Sequence, residues 1–324
     1  MRVISFILVF FIILWSSFWW IASRQMENSV LRWFDQGNIA QERKYDKLIT
    51  TGYPNRVDIS IDNFSITSNS HNLSFSAELI QLLSLVYNNK HFINIIKPPI
   101  KIEFNNNHIN ISGLPIKSSI KTNSANEPIV LVSEGKKLNF QGQKDNIWML
   151  NDFLLAVETE TPEIYKTHLT VHNITIPANF LGFSTLSSQV NRKIEKITFN
   201  SQIVVKKKSK NTPKQNKSIK MTDLNMEIAW GLVDIDLEGD FQLSNKDVLN
   251  GSFKVTINNW QNFLSVIEKE NLLKRKLYKK IKAGLTFLAS QTTFKKERIT
   301  LPILIKDNQV FLGPLKIGKI NLKL

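Results

Sequence analysis

The chain has no cysteine among its 324 residues. That excludes disulfide scaffolds, Cys-based zinc sites, iron–sulfur clusters and thiol nucleophiles together. It leaves the compartment open, because a reducing cytosol and a disulfide-free exported domain share this signature. Arginine is also scarce, at eight of the 42 basic residues. Arginine is the usual bidentate reader of guanine and phosphate. The formal net charge of +15 therefore argues poorly for nucleic-acid binding. Much of the Lys excess accompanies a general richness in Asn and Ile. Two catalytic signatures, H-E-x-x-H and G-x-S-x-G, are absent as well. Against these absences stands a hydrophobic content of 42%, enough for a packed core and too high for global disorder.

The charge is localised. Lys206–Lys220 carries seven Lys and no acid, Lys269–Lys282 seven bases against Glu270, and Lys295–Arg298 three bases against Glu297. These three segments account for the whole net charge, so the rest of the chain is neutral in sum.

Val3 to Ala22 is an uncharged stretch of twenty residues. As a helix it spans about 30 Å, the thickness of a bilayer core. Trp15, Trp19 and Trp20 lie toward its end, where an aromatic belt would meet headgroups. A cleavable signal peptide has a shorter apolar region and a small-residue cleavage site. Ile21-Ala22-Ser23 is a poor substitute for that site, so an uncleaved anchor is expected. Arg2 and Arg24 flank both ends, which weakens the positive-inside signal. A two-residue tail before a long domain suits an N-in anchor that exports the remainder.

Residues 23–37 read as a helical continuation with Val30, Leu31, Trp33 and Phe34 as its apolar stripe. The period then changes to two. Val57, Ile59 and Ile61 alternate with polar residues, and the phase slips at Asn63 before Phe64 and Ile66. Such a slip marks a bulge or turn. Similar patterns recur at 100–104, 108–111, 116–121, 129–132, 168–176 and 197–205, punctuated by Asn, Gly, Pro and Ser. Leu79–Tyr87 fits a short helix or a buried strand equally. A strand pair is clearest at 224–243, where the apolar phase switches beside Gly231 and places a bend or bulge there. Phe253, Val255 and Ile257 continue the pattern, as do Ile299, Leu301, Ile303 and Ile305. Between these lies a helical pattern, with Trp260, Phe263, Leu264 and Ile267 at i, i+3, i+4, i+7. Leu273, Leu277, Ile281, Leu285 and Leu288 extend it, with Arg275, Lys276, Lys279, Lys280 and Lys282 mostly on the opposite side. The fold class is α+β and mainly antiparallel β, with an N-terminal membrane helix and a helical insertion at about 259–290 between strands. Residues 1–22 form the anchor, 23–50 a helical stem and the connection into the first strand, and 51–324 a β-rich domain with an exposed Lys-rich loop at 206–220.

Several motifs invite chemistry and fail on their details. Gly313 to Lys319 matches G-x-x-x-x-G-K, but Ile320 stands where a P-loop needs Ser or Thr before a helix. Asp234 to Asp240 resembles a calcium loop, but Asn245 stands where a bidentate Glu is required. His168 and His172 lie four apart in a strand pattern, about 13 Å from one another and too far for shared ligation. No catalytic residue, cofactor or metal is expected. The basic helix can lie on anionic headgroups, which makes Arg275, Lys276, Lys279, Lys280 and Lys282 candidate membrane contacts. A core-packed helix with a solvated basic face explains the same pattern.

The stretch Thr51-Gly52-Tyr53-Pro54-Asn55-Arg56-Val57-Asp58 resembles the G-[YF]-P-F-R-[VL]-D signature of an alphaproteobacterial family, domain of unknown function twenty-one twenty-five. Trp230-Gly231 with Gly239-Asp240-Phe241 is similar to its W-G…G strand pair, and Leu249 to Phe253 to the strand that follows. Asp307 to Leu315, with Gly313-Pro314 inside it, resembles its closing D-G-x-V-x-L-G-P-x-P segment. Asn55 replaces the usual Phe and Asn308 the usual Gly. The resemblance implies a membrane anchor and a β-rich exported domain, and no activity. Gly52, Tyr53, Pro54, Arg56, Asp58, Trp230, Gly231, Gly313 and Pro314 are then structural residues. Arg56 and Asp58 share a strand face and are expected to pair.

The expected protein is thus a single-pass inner-membrane protein with most of its chain in the periplasm. It would bind or scaffold, holding a lipid or another envelope component on its sheet. The alternative is a membrane-tethered enzyme on an envelope substrate. Nucleic acid is disfavoured as a partner, and no oligomeric state follows.

Overall fold

The computed structural model describes residues 2–36, 41–68, 70, 72–105, 107–142, 147–177, 193–206, 218–244, 248–269, 275–291, 297–313 and 315–320. Helix α1 (Arg2–Asp35) joins the apolar stretch and the stem without a break. All strand pairings are antiparallel. The contacts divide the chain into two compact units, Met1–Ile147 and Trp148–Leu324.

Unit 1 is a meander of β1 (Gln41–Lys44), β2 (Lys47–Thr51), β3 (Arg56–Ser68), β4 (Leu73–Leu85), β5 (Asn88–Phe104), β6 (Asn107–Ser112), β7 (Ile116–Thr122) and β8 (Pro128–Gln141). Both β1 and β2 pair with β3, as two halves of one interrupted strand. In the same way β6 and β7 fill one position between β5 and β8. A single line of irregularities crosses the sheet. The phase slip at Asn63 is real, with φ 50° and its side chain donating to Asp46 at 2.7 Å. Next along the line, Glu78 faces two residues of β5, Pro98 and Pro99, so β5 carries one extra residue there. Gly113 and Lys137, with φ 129° and 50°, continue it. Each bulge adds local twist and bend, so their alignment creases the whole sheet in one place.

Cross-strand register puts Val57, Ile59, Ile61 and Phe64 on one face with Ile80, Leu82, Ile96 and Ile100. The opposite face carries Asp58, Ser60, Lys97 and Lys101. Leu79–Tyr87, ambiguous by periodicity, is the end of β4 and the turn that follows. Its ambiguity has a cause. Leu79 and Leu83 lie on the polar face while Ile80 and Leu82 lie on the apolar one, which erases the alternation.

Unit 2 begins with β9 (Ile147–Thr161, whose first residue belongs to unit 1), β10 (Ile164–Thr175), β11 (Lys193–Lys206), β12 (Ser218–Trp230), β13 (Val233–Ser244) and β14 (Leu249–Asn258). Helices α2 (Trp260–Lys269) and α3 (Arg275–Gln291) follow, then β15 (Arg298–Lys306), β16 (Gln309–Leu312) and β17 (Leu315–Lys319). The nine strands pair strictly in sequence order. The helical insertion stands where periodicity put it. Gly231 forms a tight turn with Leu232 at φ 62°, Trp230 pairing directly with Val233, so the expected bend is a hairpin. The bulges sit further along, at Ser201 in β11 and Asp223 in β12.

The core of unit 2 lies under α2 and α3. Trp260, Leu264, Ile267, Tyr278 and Leu285 pack on Val233, Val255, Ile257, Ile299 and Leu301. A polar clamp joins the helices: Tyr278 donates to Glu268 at 2.5 Å, and Lys282 Nζ lies 3.7 Å from the same carboxylate. The Tyr278 hydroxyl, and then the Lys282 charge, hold Glu268 below the usual 4.5. Tyr278 is pushed up, chiefly by donating to Glu268. Lys282 is raised by its bond with Tyr278 and its attraction to Glu268. The Glu268 contribution is therefore complete above about pH 4.5 and lost as acid passes its lower folded value. The Lys282 contribution is complete below about pH 10.5 and lost as the pH rises through its higher folded value. Thermal unfolding followed from pH 3 to 11 should show a flat neutral plateau with small falls at both ends, absent in Glu268→Gln. Glu268 and Lys282 face solvent, so both falls are small.

Candidate functional site

Two features stand out: a collar on α1 and an apolar track on each sheet. The collar is the turn that leads into β3. Gly52 has φ 105°, a conformation L side chains rarely adopt, and an added Cβ would lie 2.7 Å from the Arg56 carbonyl. Its carbonyl accepts the Arg56 N–H at 2.9 Å, which closes the turn. Arg56 then pairs with Asp58 at 2.7 Å, as their shared face implied. Asp58 is buried, and its other oxygen has no hydrogen-bond partner.

This turn grips the apolar helix. Trp15 donates its indole N–H to the Pro54 carbonyl at 3.0 Å, and Trp19 donates to the Arg56 carbonyl at 2.6 Å. Ser16 meets the Tyr53 hydroxyl at 2.9 Å, and the Trp19 and Tyr53 rings meet edge-on at 5.5 Å. Further along α1, Thr50 donates to Glu27 at 3.0 Å. The helix ends in an aromatic cluster: Phe34 contacts Tyr45 and Phe64, and Arg43 stacks 4.1 Å above the Trp33 ring. The expected belt of three tryptophans is thus divided. Trp15 and Trp19 turn to the protein, and Trp20 remains exposed. Nothing in the sequence signals this collar beyond the coincidence of a Trp-rich helix end and a Tyr-Pro turn.

The apolar track is the second feature. Helix α1 packs on β3, while α2 packs on β13 and α3 on β15. Away from these helices the apolar faces stay half-exposed. In unit 1 they present Phe92, Ile96, Ile102, Ile116, Ile120 and Leu131. In unit 2 they present Phe153, Leu155, Leu169, Val171, Ile197 and Phe199. One polar row interrupts the unit 1 track. Asn94, Ser118 and Ser133 lie side by side, the two serines 2.9 Å apart, and Asn94 Oδ1 is buried without a partner.

The chemical motifs take the bland reading. Asp234 to Asp240 runs inside β13, where Asp236 is pushed up by burial, partly offset by Arg298 and reinforced by Glu227, Asp234 and Glu238. Leu315–Lys319 is a strand, which dismisses the P-loop pattern; Pro314 lies outside the described residues. His168 and His172 bond Asn200 and Asp152, each at 2.6 Å, within the sheet. A pocket of about 380 Å³ opens beside His168, lined by Glu158, Lys166, Asn200, Gln202 and Asp223 among others. His168 is held through both ring nitrogens, to Asn200 at 2.6 Å and Thr170 at 3.0 Å. No group of three His, Asp or Glu residues could hold a metal among the described residues.

Of the basic helix, Arg275, Lys279 and Lys282 are exposed, and Lys282 is paired with Glu268. The side chains of Lys276 and Lys280 lie outside the described residues, as do 207–217 of the Lys-rich loop. Trp230 and Gly231 close the β12–β13 hairpin, where the Gly231 N–H bonds Glu195 at 2.7 Å, and Gly313 turns between β16 and β17 with φ 56°.

A family model described as an uncharacterized protein conserved in bacteria, DUF2125, matches residues 19–321. The chain belongs to the DUF2125 family. The match runs through both units and takes in Trp19 and the Gly52–Asp58 turn, while Trp15 and Ser16 precede it. No curated protein and no solved structure matches this DUF2125 member. Among the described residues one helix, Val3–Asp35, is long and apolar enough to cross a membrane.

Proposed function

We propose that this DUF2125 protein is a single-pass inner-membrane protein whose part from 51 to 324 is periplasmic and binds lipid without catalysis. One observation carries the reading: both sheets keep an apolar face half-exposed beyond the reach of the helices that pack on them. A soluble domain normally hides such a face, and large exposed apolar patches mark sites of association. An acyl chain matches a track of Phe, Ile and Leu, and the Asn94–Ser118–Ser133 row supplies hydrogen bonds for a polar group. The uncharged stretch Val3–Ala22 of α1 would keep the tracks near their source of lipid. The Lys-rich segment 206–220 belongs to the same periplasmic part. Arg275, Lys276, Lys279, Lys280 and Lys282 are proposed as contacts with anionic headgroups.

Two experiments test this. Organic extraction of the full chain, purified in a non-lipid detergent, should release phospholipid in constant ratio to protein, retained through gel filtration. A preparation that stays folded and lipid-free would overturn the lipid reading. A reporter fused after Leu324 that is active only in the periplasm should be active; a cytoplasmic signal would reverse the orientation.

A further inference from the structure

The length of α1 left uncovered by the sheet is too short for a bilayer. The helix runs along β3, from the Trp15 and Trp19 bonds at its start to the Phe34–Phe64 contact near Asn63. Only Val3–Leu14 extends past the end of the unit 1 sheet, about 18 Å at 1.5 Å per residue. A hydrocarbon core is about 30 Å thick. On the side of α1 away from the sheet the apolar surface does not stop at Trp15. Phe18, Trp20 and Ile21 are 44%, 59% and 50% exposed, and the first charge after them is Arg24. Between Trp15 and Ile21 lie about 9 Å of helix that is apolar outside and clothed by the sheet inside. Ser16 and Ser17 in this stretch bond back to the Ile12 and Ile13 carbonyls, which spares them water.

We infer that the end of the unit 1 sheet is sunk into the headgroup layer, where the turns at 52–55 and 86–89 touch phospholipid directly. This rests on the reading of α1 as a membrane span. The two turns are joined, since the Val86 N–H donates to the Asn55 carbonyl at 3.1 Å. Tyr53 and Tyr87 are 53% and 67% exposed there, and tyrosine is enriched where apolar body and polar tip meet a bilayer surface. Neither 52–57 nor 83–91 contains an Asp or Glu, Asp58 just beyond is neutralised by its pair with Arg56, and Lys90 adds a positive group. Anionic headgroups therefore meet no repulsion at this rim. The opposite end of the same sheet, around Asn72 and Asn107, has Glu103 and no comparable pair of tyrosines. Immersion places the apolar face of β3–β5 in contact with the bilayer edge, so an acyl chain could move from membrane to track without crossing water.

The cysteine-free chain permits a direct test. Single Cys variants F10C, Y87C and N107C are labelled with a polarity-sensitive fluorophore. Each full-length chain is reconstituted into phosphatidylethanolamine–phosphatidylglycerol vesicles carrying nitroxide lipids quenching at shallow or deep positions. The Phe10 position should be quenched mainly by the deep nitroxide. The Tyr87 position should be quenched mainly by the shallow one, several-fold more than Asn107. Deep quenching at Phe10 with Tyr87 no more quenched than Asn107 would overturn the immersed rim and leave the span standing. Absence of quenching at Phe10 would remove the span and the inference with it.

Discussion

Gly113→Ala is expected to destabilise unit 1 by at least about 3 kcal/mol, enough to unfold a marginal domain. Gly113 has φ 129°, and a Cβ added there would lie 2.0 Å from the Lys137 carbonyl oxygen and 3.1 Å from the Leu138 Cα. Both obstacles are backbone, so no side chain can rotate away. The position lies on the crease, where β6 gives way to β7 beside fully buried Leu138. The change therefore damages the curvature of the sheet as well as one turn. Urea unfolding with limited proteolysis as readout should show cleavage within 41–141 at denaturant concentrations that leave the wild type intact. Gly142→Ala is the control, because nothing lies within 4 Å of its added Cβ. Its midpoint should stay within about 0.5 kcal/mol of wild type.

Phe34→Ala should cost about 3–5 kcal/mol, the usual range for a buried aromatic ring. Phe34 is buried and has Tyr45, Trp33 and Phe64 around it at ring separations of 4.4, 5.1 and 5.9 Å. Its loss frees the end of α1 from the sheet and removes the far anchor of the collar. Hydrogen exchange should accelerate in both α1 after Ser23 and the 50–56 turn, even where the two do not touch Phe34. Trp20→Ala removes a larger ring from an exposed site and should leave that exchange unchanged in detergent. Unchanged protection in Phe34→Ala would mean that α1 and the sheet are not coupled through this cluster.

Much of the architecture was legible because half-buried strands and a two-faced helix write their periods into the sequence. Val57, Ile59 and Ile61, then Phe64 and Ile66, marked both a strand and its irregularity, since Asn63 turns to φ 50° and the alternation reverses there without a break in the pairing with β4. Leu79–Tyr87 was not legible, because apolar residues occupy both faces of β4 there. The division at Ile147 left no Pro- or Gly-rich linker to mark it, as Ile147 opens a strand of ordinary β composition. The pairing of Arg56 with Asp58 followed from strand geometry alone. The collar did not, because bonds from Trp15 to Pro54 and from Trp19 to Arg56 join segments more than thirty residues apart. Each collar residue had a sufficient local reason to be there. Gly52 and Pro54 suit a turn, and tryptophans suit the end of a span. Only the tertiary structure shows that these reasons meet. The Asn94–Ser118–Ser133 row was hidden in the same way, as three isolated polar residues from three strands.

The proposed function has the apolar track holding lipid. A photoreactive phenylalanine placed at Phe199 tests it most directly, with a second at Asn200 as its neighbour on the opposite face. Phe199 lies half-buried on the track among Leu169 and Met226, while Asn200 is exposed beside His168. Irradiation in living cells followed by mass spectrometry should yield phospholipid adducts at Phe199 and none at Asn200. Equal adduct formation at both positions, or adducts at neither while the protein remains folded and membrane-bound, would contradict it.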